Sequence, residues 1–183
     1  MVASQGSRKI LITGLPGSGK TTLVEKVVRE FQGRISMAGF ITREIREEGR
    51  RTGFELLSLD GQKAVLSHTR MSSPYRVGQY RVDLKGFENF LERLHFFDPE
   101  SRLIVVDEIG KMECLSEKFR QSVLKVLYQR GIFLATIGLY GTPFIEKVKS
   151  HPDVEIHMID QANRESIAAK IGGIIRSVLE FEP

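Results

Sequence analysis

Lys9-Ile10-Leu11-Ile12-Thr13-Gly14-Leu15-Pro16-Gly17-Ser18-Gly19-Lys20-Thr21 reads as a short buried strand that runs straight into a phosphate-binding loop. Gly14 to Thr21 match Gly-x-x-x-x-Gly-Lys-[Ser/Thr] at every fixed position. The glycines let the backbone wrap closely around phosphate oxygens, while the loop N–H groups and the start of the next helix present positive partial charge to them. Lys20 is placed to reach the β- and γ-phosphates, and the Thr21 hydroxyl to ligate magnesium. Leu23, Val24, Val27, Val28 and Phe31 follow at helical spacing, which completes the strand, loop and helix that the motif needs. A nucleoside triphosphate is therefore the expected ligand.

Working outward, the 183 residues suit one domain, 1–183, with no repeat, low-complexity tract or linker to divide it. Apolar residues are 41% and charged residues 27% of the chain, the balance of a globular protein, so disorder is expected only at the ends. No apolar run approaches membrane-spanning length, and Met1 to Lys9 lack the apolar stretch of a signal peptide. A cytoplasmic monomer is the expectation. The single cysteine, Cys114, excludes an internal disulfide framework and reads as a small core or surface residue. His68, His95, His151 and His157 lack metal-ligand spacing, so no structural zinc is expected. A net charge of +4 favours capture of polyanions such as nucleotides but is weak support for nucleic-acid binding.

The rest of the chain alternates strands and helices, which predicts an α/β fold with a mostly parallel sheet and helices on both faces. Met37 to Ile45 and Phe54 to Leu59 read as strands, and Asp60-Gly61 as a hairpin turn into Lys63 to Ser67. An inserted antiparallel hairpin is thus expected. Thr69 to Gln79 reads as loop, broken at Ser72-Ser73-Pro74, and Phe87, Phe90, Leu91, Leu94 and Phe97 mark one helix face. Leu103-Ile104-Val105-Val106 suits a central parallel strand. Ser116 is a candidate cap for a helix whose Phe119, Val123 and Leu127 face the core. Gly131 to Ile137 reads as a strand, Phe144 to Lys149 as a short helix and Val154 to Met158 as the final strand. Asn163 is a candidate cap for the last helix, where Ile167, Ile171, Ile174 and Val178 form a stripe weakened by Gly172-Gly173.

The apolar strand ends in Asp107-Glu108. Asp107 is suited to hold magnesium, through its water shell, and Glu108 to orient and polarise the attacking water. Glu113 is a rival base, but beside Lys111 it reads better as a surface carboxylate. Arg43, Arg46, Arg50 and Arg51 are interleaved with Glu44, Glu47 and Glu48, the pattern of a solvated hairpin, and Arg164 is a further candidate for nucleotide contact.

These blocks together resemble the cancer-related nucleoside-triphosphatases, or THEP-type NTPases. The resemblance is carried by the phosphate loop, Gly39-Phe40-Ile41-Thr42-Arg43-Glu44, Arg50-Arg51-Thr52-Gly53-Phe54, Val77-Gly78-Gln79-Tyr80, Val82-Asp83 and Asp107-Glu108-Ile109-Gly110-Lys111-Met112-Glu113. It extends through Ala135-Thr136-Ile137, Pro143-Phe144, Pro152-Asp153-Val154 and Asn163-Arg164. Gly138-Leu139-Tyr140-Gly141-Thr142 departs from it. The resemblance implies a RecA-like P-loop NTPase fold and magnesium-dependent hydrolysis of ATP, GTP, CTP and UTP to diphosphate and phosphate. It also implies nucleotide contacts from Gly14-Leu15-Pro16-Gly17-Ser18-Gly19-Lys20-Thr21 and Leu103-Ile104-Val105-Val106-Asp107-Glu108-Ile109-Gly110, with Lys20 and Glu108 catalytic. The residues leave open a nucleotide or small-molecule kinase, with the Arg43 to Arg51 insert as lid, and a nucleotide switch or nucleic-acid-stimulated ATPase.

Overall fold

The computed structural model describes residues 7–180. The two ends, where the sequence confines any disorder, lie outside the described residues. Among these residues nine strands, including β3 (Arg50–Ser58), β4 (Lys63–His68), β5 (Arg76–Val77) and β6 (Tyr80–Val82), form one mixed sheet in the order β5-β6-β4-β3-β2-β7-β8-β1-β9. Five of them, β2 (Met37–Glu47), β7 (Leu103–Ile109), β8 (Gly131–Ile137), β1 (Ser7–Thr13) and β9 (Val154–Met158), pair in parallel, so their C-terminal ends share one edge of the sheet. Crevices outside that edge are where open α/β sheets bind ligands.

The central strands β1, β7 and β8 are apolar on both faces, and the period of two divides their side chains between two cores. Ile10, Ile12, Leu103, Val105, Ile132 and Leu134 meet helices α1 (Lys20–Phe31) and α5 (Arg164–Glu180) on one face. Leu11, Ile104, Val106, Phe133 and Ala135 meet α2 (Leu84–Glu92), α3 (Glu117–Tyr128) and α4 (Pro143–Lys149) on the other. Phe40 anchors that second core, with edge-on contacts to Phe87 and Phe90 at ring separations of 6.2 and 5.9 Å. Its strand passes close to β7: a side chain at Gly39, where φ is 126°, would meet the Val105 carbonyl oxygen at 1.8 Å. Only glycine fits there.

The antiparallel part exceeds the hairpin expected. β3 (Arg50–Ser58) and β4 (Lys63–His68) are joined through the Asp60-Gly61 turn, and the sheet is extended by β5 (Arg76–Val77), inside the segment expected to be loop, and by β6 (Tyr80–Val82), just after it. Two- and three-residue strands are too short to show alternation, and their pairing through Ser67 and Val82 is a long-range contact.

Two helix readings also change. α2 ends at Glu92, so Leu94 lies beyond it, while Phe96 rather than Phe97 enters the core. Phe97 is partly exposed under Lys125 Nζ, 3.8 Å from its ring centre. Asn163 does not cap α5 with its side chain, because its Oδ1 accepts from the Asp160 N–H at 2.9 Å. The buried stripe of α5 is Ala168, Ile171, Gly172, Ile175 and Val178. Gly172 is tolerated in mid-helix because α1 crosses there, and a side chain would meet Glu30 Oε2 at 2.8 Å. Ser116 does cap α3, its Oγ accepting from the Phe119 N–H at 3.1 Å.

Candidate active site

The phosphate loop joins β1 to α1 at the shared strand edge, with its glycines in conformations a larger residue resists: φ is 79° at Gly17 and 91° at Gly19. Lys20 Nζ donates to the Gly14 and Leu15 carbonyl oxygens at 3.1 and 3.4 Å, which curls the loop around the ammonium. A cleft of about 840 Å³ opens over the loop and is bounded by Thr21, Asp107, Glu108 and Gly110. Of the residues assigned to nucleotide from sequence, these lie at the cleft, while Leu103, Ile104, Val105 and Val106 are core residues of the strand that delivers the acidic pair.

Asp107 is almost fully buried. Burial pushes its carboxyl up from the ordinary aspartate range, while the Thr136 hydroxyl, the Thr21 hydroxyl, a Thr42 contact and the Lys20 ammonium pull it back down. Thr136 Oγ1 donates to Oδ1 at 2.6 Å, and the Thr42 hydroxyl donates to the Asp107 carbonyl oxygen. Oδ2 is buried and makes no hydrogen bond among the described residues. A buried carboxylate oxygen without a donor, with the Thr21 hydroxyl near the same carboxyl, is the oxygen donor set that a hard divalent cation takes. The residues present therefore fit magnesium.

Glu108 is half-exposed to the cleft, and burial raises its carboxyl; Lys20 opposes the rise and Asp107 adds to it. Glu113 is not the surface carboxylate expected. It opens a 3-10 turn (Glu113–Leu115) that folds back under the strand end, and only 5% of it is exposed. A side chain at Gly110 would lie 2.8 Å from Glu113 Oε2 and 3.5 Å from Glu108 Oε1, so the two carboxyls flank this glycine. Burial first, and the Glu108 charge second, push Glu113 up to about 8. Its tight turn is local backbone geometry that the charged neighbour Lys111 concealed in the sequence.

The arginine cluster divides. Arg43 and Arg51 line the cleft, whereas Arg46 and Arg50 lie outside it. Each of the two is already engaged: Arg43 Nη2 with Glu25 Oε1 at 3.2 Å, and Arg51 with Glu44 Oε1 at 2.8 Å and the Tyr80 hydroxyl at 2.9 Å. Arg164 also lines the cleft. Thr42 and Thr136, which hold Asp107, were not singled out as site residues from sequence. Thr136 carried a signal, a lone hydroxyl in an apolar strand, whereas Thr42 sits where β2 turns from apolar to charged and carried none.

A family profile described as NTPase matches residues 9–172. The chain belongs to this NTPase family. The nucleoside-triphosphatase THEP1 of Thermotoga maritima is 44% identical over 169 residues, covering 92% of this chain and 95% of the relative. The cancer-related nucleoside-triphosphatase of Homo sapiens is 37% identical over 186 residues, covering 93% and 98%. Among solved structures, the crystal structure of THEP1 from the hyperthermophile Aquifex aeolicus aligns with a TM-score of 0.81 at 35% identity, covering 91% of this chain and 98% of that one. The fold of this NTPase is accordingly the P-loop type, with an antiparallel extension. No helix among its described residues is long and apolar enough to cross a membrane.

Proposed function

We propose that this NTPase hydrolyses nucleoside triphosphates in a magnesium-dependent reaction, with Thr21 and Asp107 holding the cation, Lys20 binding the β- and γ-phosphates and Glu108 positioning the attacking water. The observation that carries this reading is the unpartnered buried Oδ2 of Asp107 beside Thr21, next in sequence to a carboxylate that faces the cleft. Magnesium, when bound, supplies charge neutralisation at the phosphate oxygens. Lys20 shifts from the loop carbonyls to the phosphates that the loop N–H groups cradle. Glu108 accepts a proton from water more readily than an exposed glutamate does, because burial raises its proton affinity.

Broad base tolerance follows from what the loop after β9 has left to offer. Asp160 Oδ1 accepts from the N–H groups of Ala162 and Asn163 at 2.8 and 2.9 Å, and Asn163 donates to the Met158 carbonyl oxygen at 3.2 Å. These polar groups are spent on their own backbone. Beside them Leu15 and Met158, both exposed, give apolar contact for base faces in a cleft of about 390 Å³, and the exposed Gln161 amide on its rim can donate or accept, so it fits the edges of different bases.

The test is phosphate release from ATP, GTP, CTP and UTP, with and without magnesium, by the parent, Lys20→Ala and Glu108→Gln. Glu108→Gln should cost about 100-fold or more in kcat. Wild-type turnover by Glu108→Gln, with loss in Lys20→Ala, would show that Glu108 is not the base. Stoichiometric phosphate without an added acceptor separates hydrolysis from a kinase reaction.

A further inference from the structure

Arg164 is the first residue of α5, and its guanidinium lies against the phosphate loop. A side chain at Gly19 would collide with Arg164 Nη1 at 2.4 Å and Cδ at 2.7 Å. This is the cap position of α1, where the helix dipole is most favourable to an anion. Arg164 Nε is buried and makes no hydrogen bond among the described residues. Glu165 Oε1 stands 3.5 Å from it, beyond good hydrogen-bond length, and the other oxygen of that carboxylate is held by Lys26 Nζ at 2.5 Å. Arg164 thus keeps an ion pair with Glu165 but, among the described residues, no hydrogen bond from its buried Nε, whereas Arg43 and Arg51 each donate a hydrogen bond to a glutamate. A buried donor without a partner is costly unless a ligand meets it, and a planar guanidinium matches phosphate oxygens in pairs.

Sheet order says which phosphates. β1, which carries the loop, lies between β8 on one side and β9 on the other, and β7 lies beyond β8. Asp107 and Glu108 end β7, so the phosphate to be cleaved must lie on the β8 side of the loop. Arg164 follows β9 and approaches from the opposite side. We propose that Arg164 grips the α- and β-phosphates, the pair retained in the diphosphate product, and so holds substrate and product alike rather than the transferring group. The assignment rests on the nucleotide seating in the phosphate loop as proposed above.

Isothermal titration of the full chain with ADP tests it without turnover. Arg164→Gln should weaken ADP about tenfold or more, equivalent to about 1.4 kcal/mol. The KM for ATP should rise in parallel while kcat falls by less than KM rises. Arg164→Lys, which keeps charge without the fork, should recover part of the loss and serves if the glutamine variant folds poorly. Loss of ADP binding in Lys20→Ala with unchanged binding in Arg164→Gln overturns the Arg164 assignment alone. Unchanged binding in both overturns the phosphate-loop reading with it. A collapse of kcat with ADP affinity intact also overturns the proposal, because Arg164 would then serve the γ-phosphate.

Discussion

Replacing Glu113 by glutamine will make this NTPase more stable, by an amount that grows with pH. The Glu113 carboxyl is raised from the 4.5 of a free glutamate to about 8, first by burial and then by the Glu108 charge. The folded state therefore holds this proton more tightly than the unfolded chain. The stability it contributes is complete below pH 4.5 and is lost as pH rises towards 8. Each pH unit in that window is worth about 1.4 kcal/mol, so the whole window holds about 5 kcal/mol. Glutamine keeps the shape and stays neutral. Its advantage over the parent should be near zero at the acid end and approach that ceiling at the alkaline end, since other groups titrate in both proteins and largely cancel. Urea unfolding at pH 5, 6, 7 and 8, without nucleotide or magnesium, measures the difference directly. Parallel stability curves, with a difference that does not change with pH, would refute the buried neutral carboxyl.

Two further outcomes follow from the packing around the same turn. Ser116 is fully buried, caps α3 and donates to Glu88 Oε1 at 2.7 Å, so Ser116→Ala should cost about 2 kcal/mol through the lost cap and the abandoned carboxylate; a change in urea midpoint equivalent to less than about 0.5 kcal/mol would contradict it. Cys114 is buried with its thiol pushed up to about 12, first by desolvation, so its thiolate fraction at pH 8 is on the order of one in ten thousand. Ellman's reagent should label it slowly in the native protein and rapidly in urea, and equal rates would show that the thiol is accessible.

Lys9 to Thr21 were legible because strand, loop and helix are contiguous and each signal is local: an apolar run, spaced glycines, then a helical period. Leu103 to Glu108 were legible for the same reason. The short strands β5 and β6 were not, because two or three residues show no period, and the hairpin they form with each other is tied to the sheet only where β6 pairs with Ser67 and His68 of β4. Glu113 was misjudged because charge composition predicts exposure, whereas a 3-10 turn drew this carboxyl beneath Gly110. Thr42 and Thr136 act through Asp107, a relation between three strands that no single stretch displays.

By itself the sequence determined that this chain folds as an α/β domain with a phosphate loop and an acidic strand end, since backbone conformation, burial period and motif chemistry are written in neighbouring residues. Only the tertiary structure decided how the loop is completed. It brought the Thr21 hydroxyl near the Asp107 carboxyl, buried Glu113 behind Glu108, and laid Arg164 on Gly19 while committing Arg43 and Arg51 to glutamates. Those outcomes depend on strand order and on which polar groups are already satisfied, and neither is a property of local sequence.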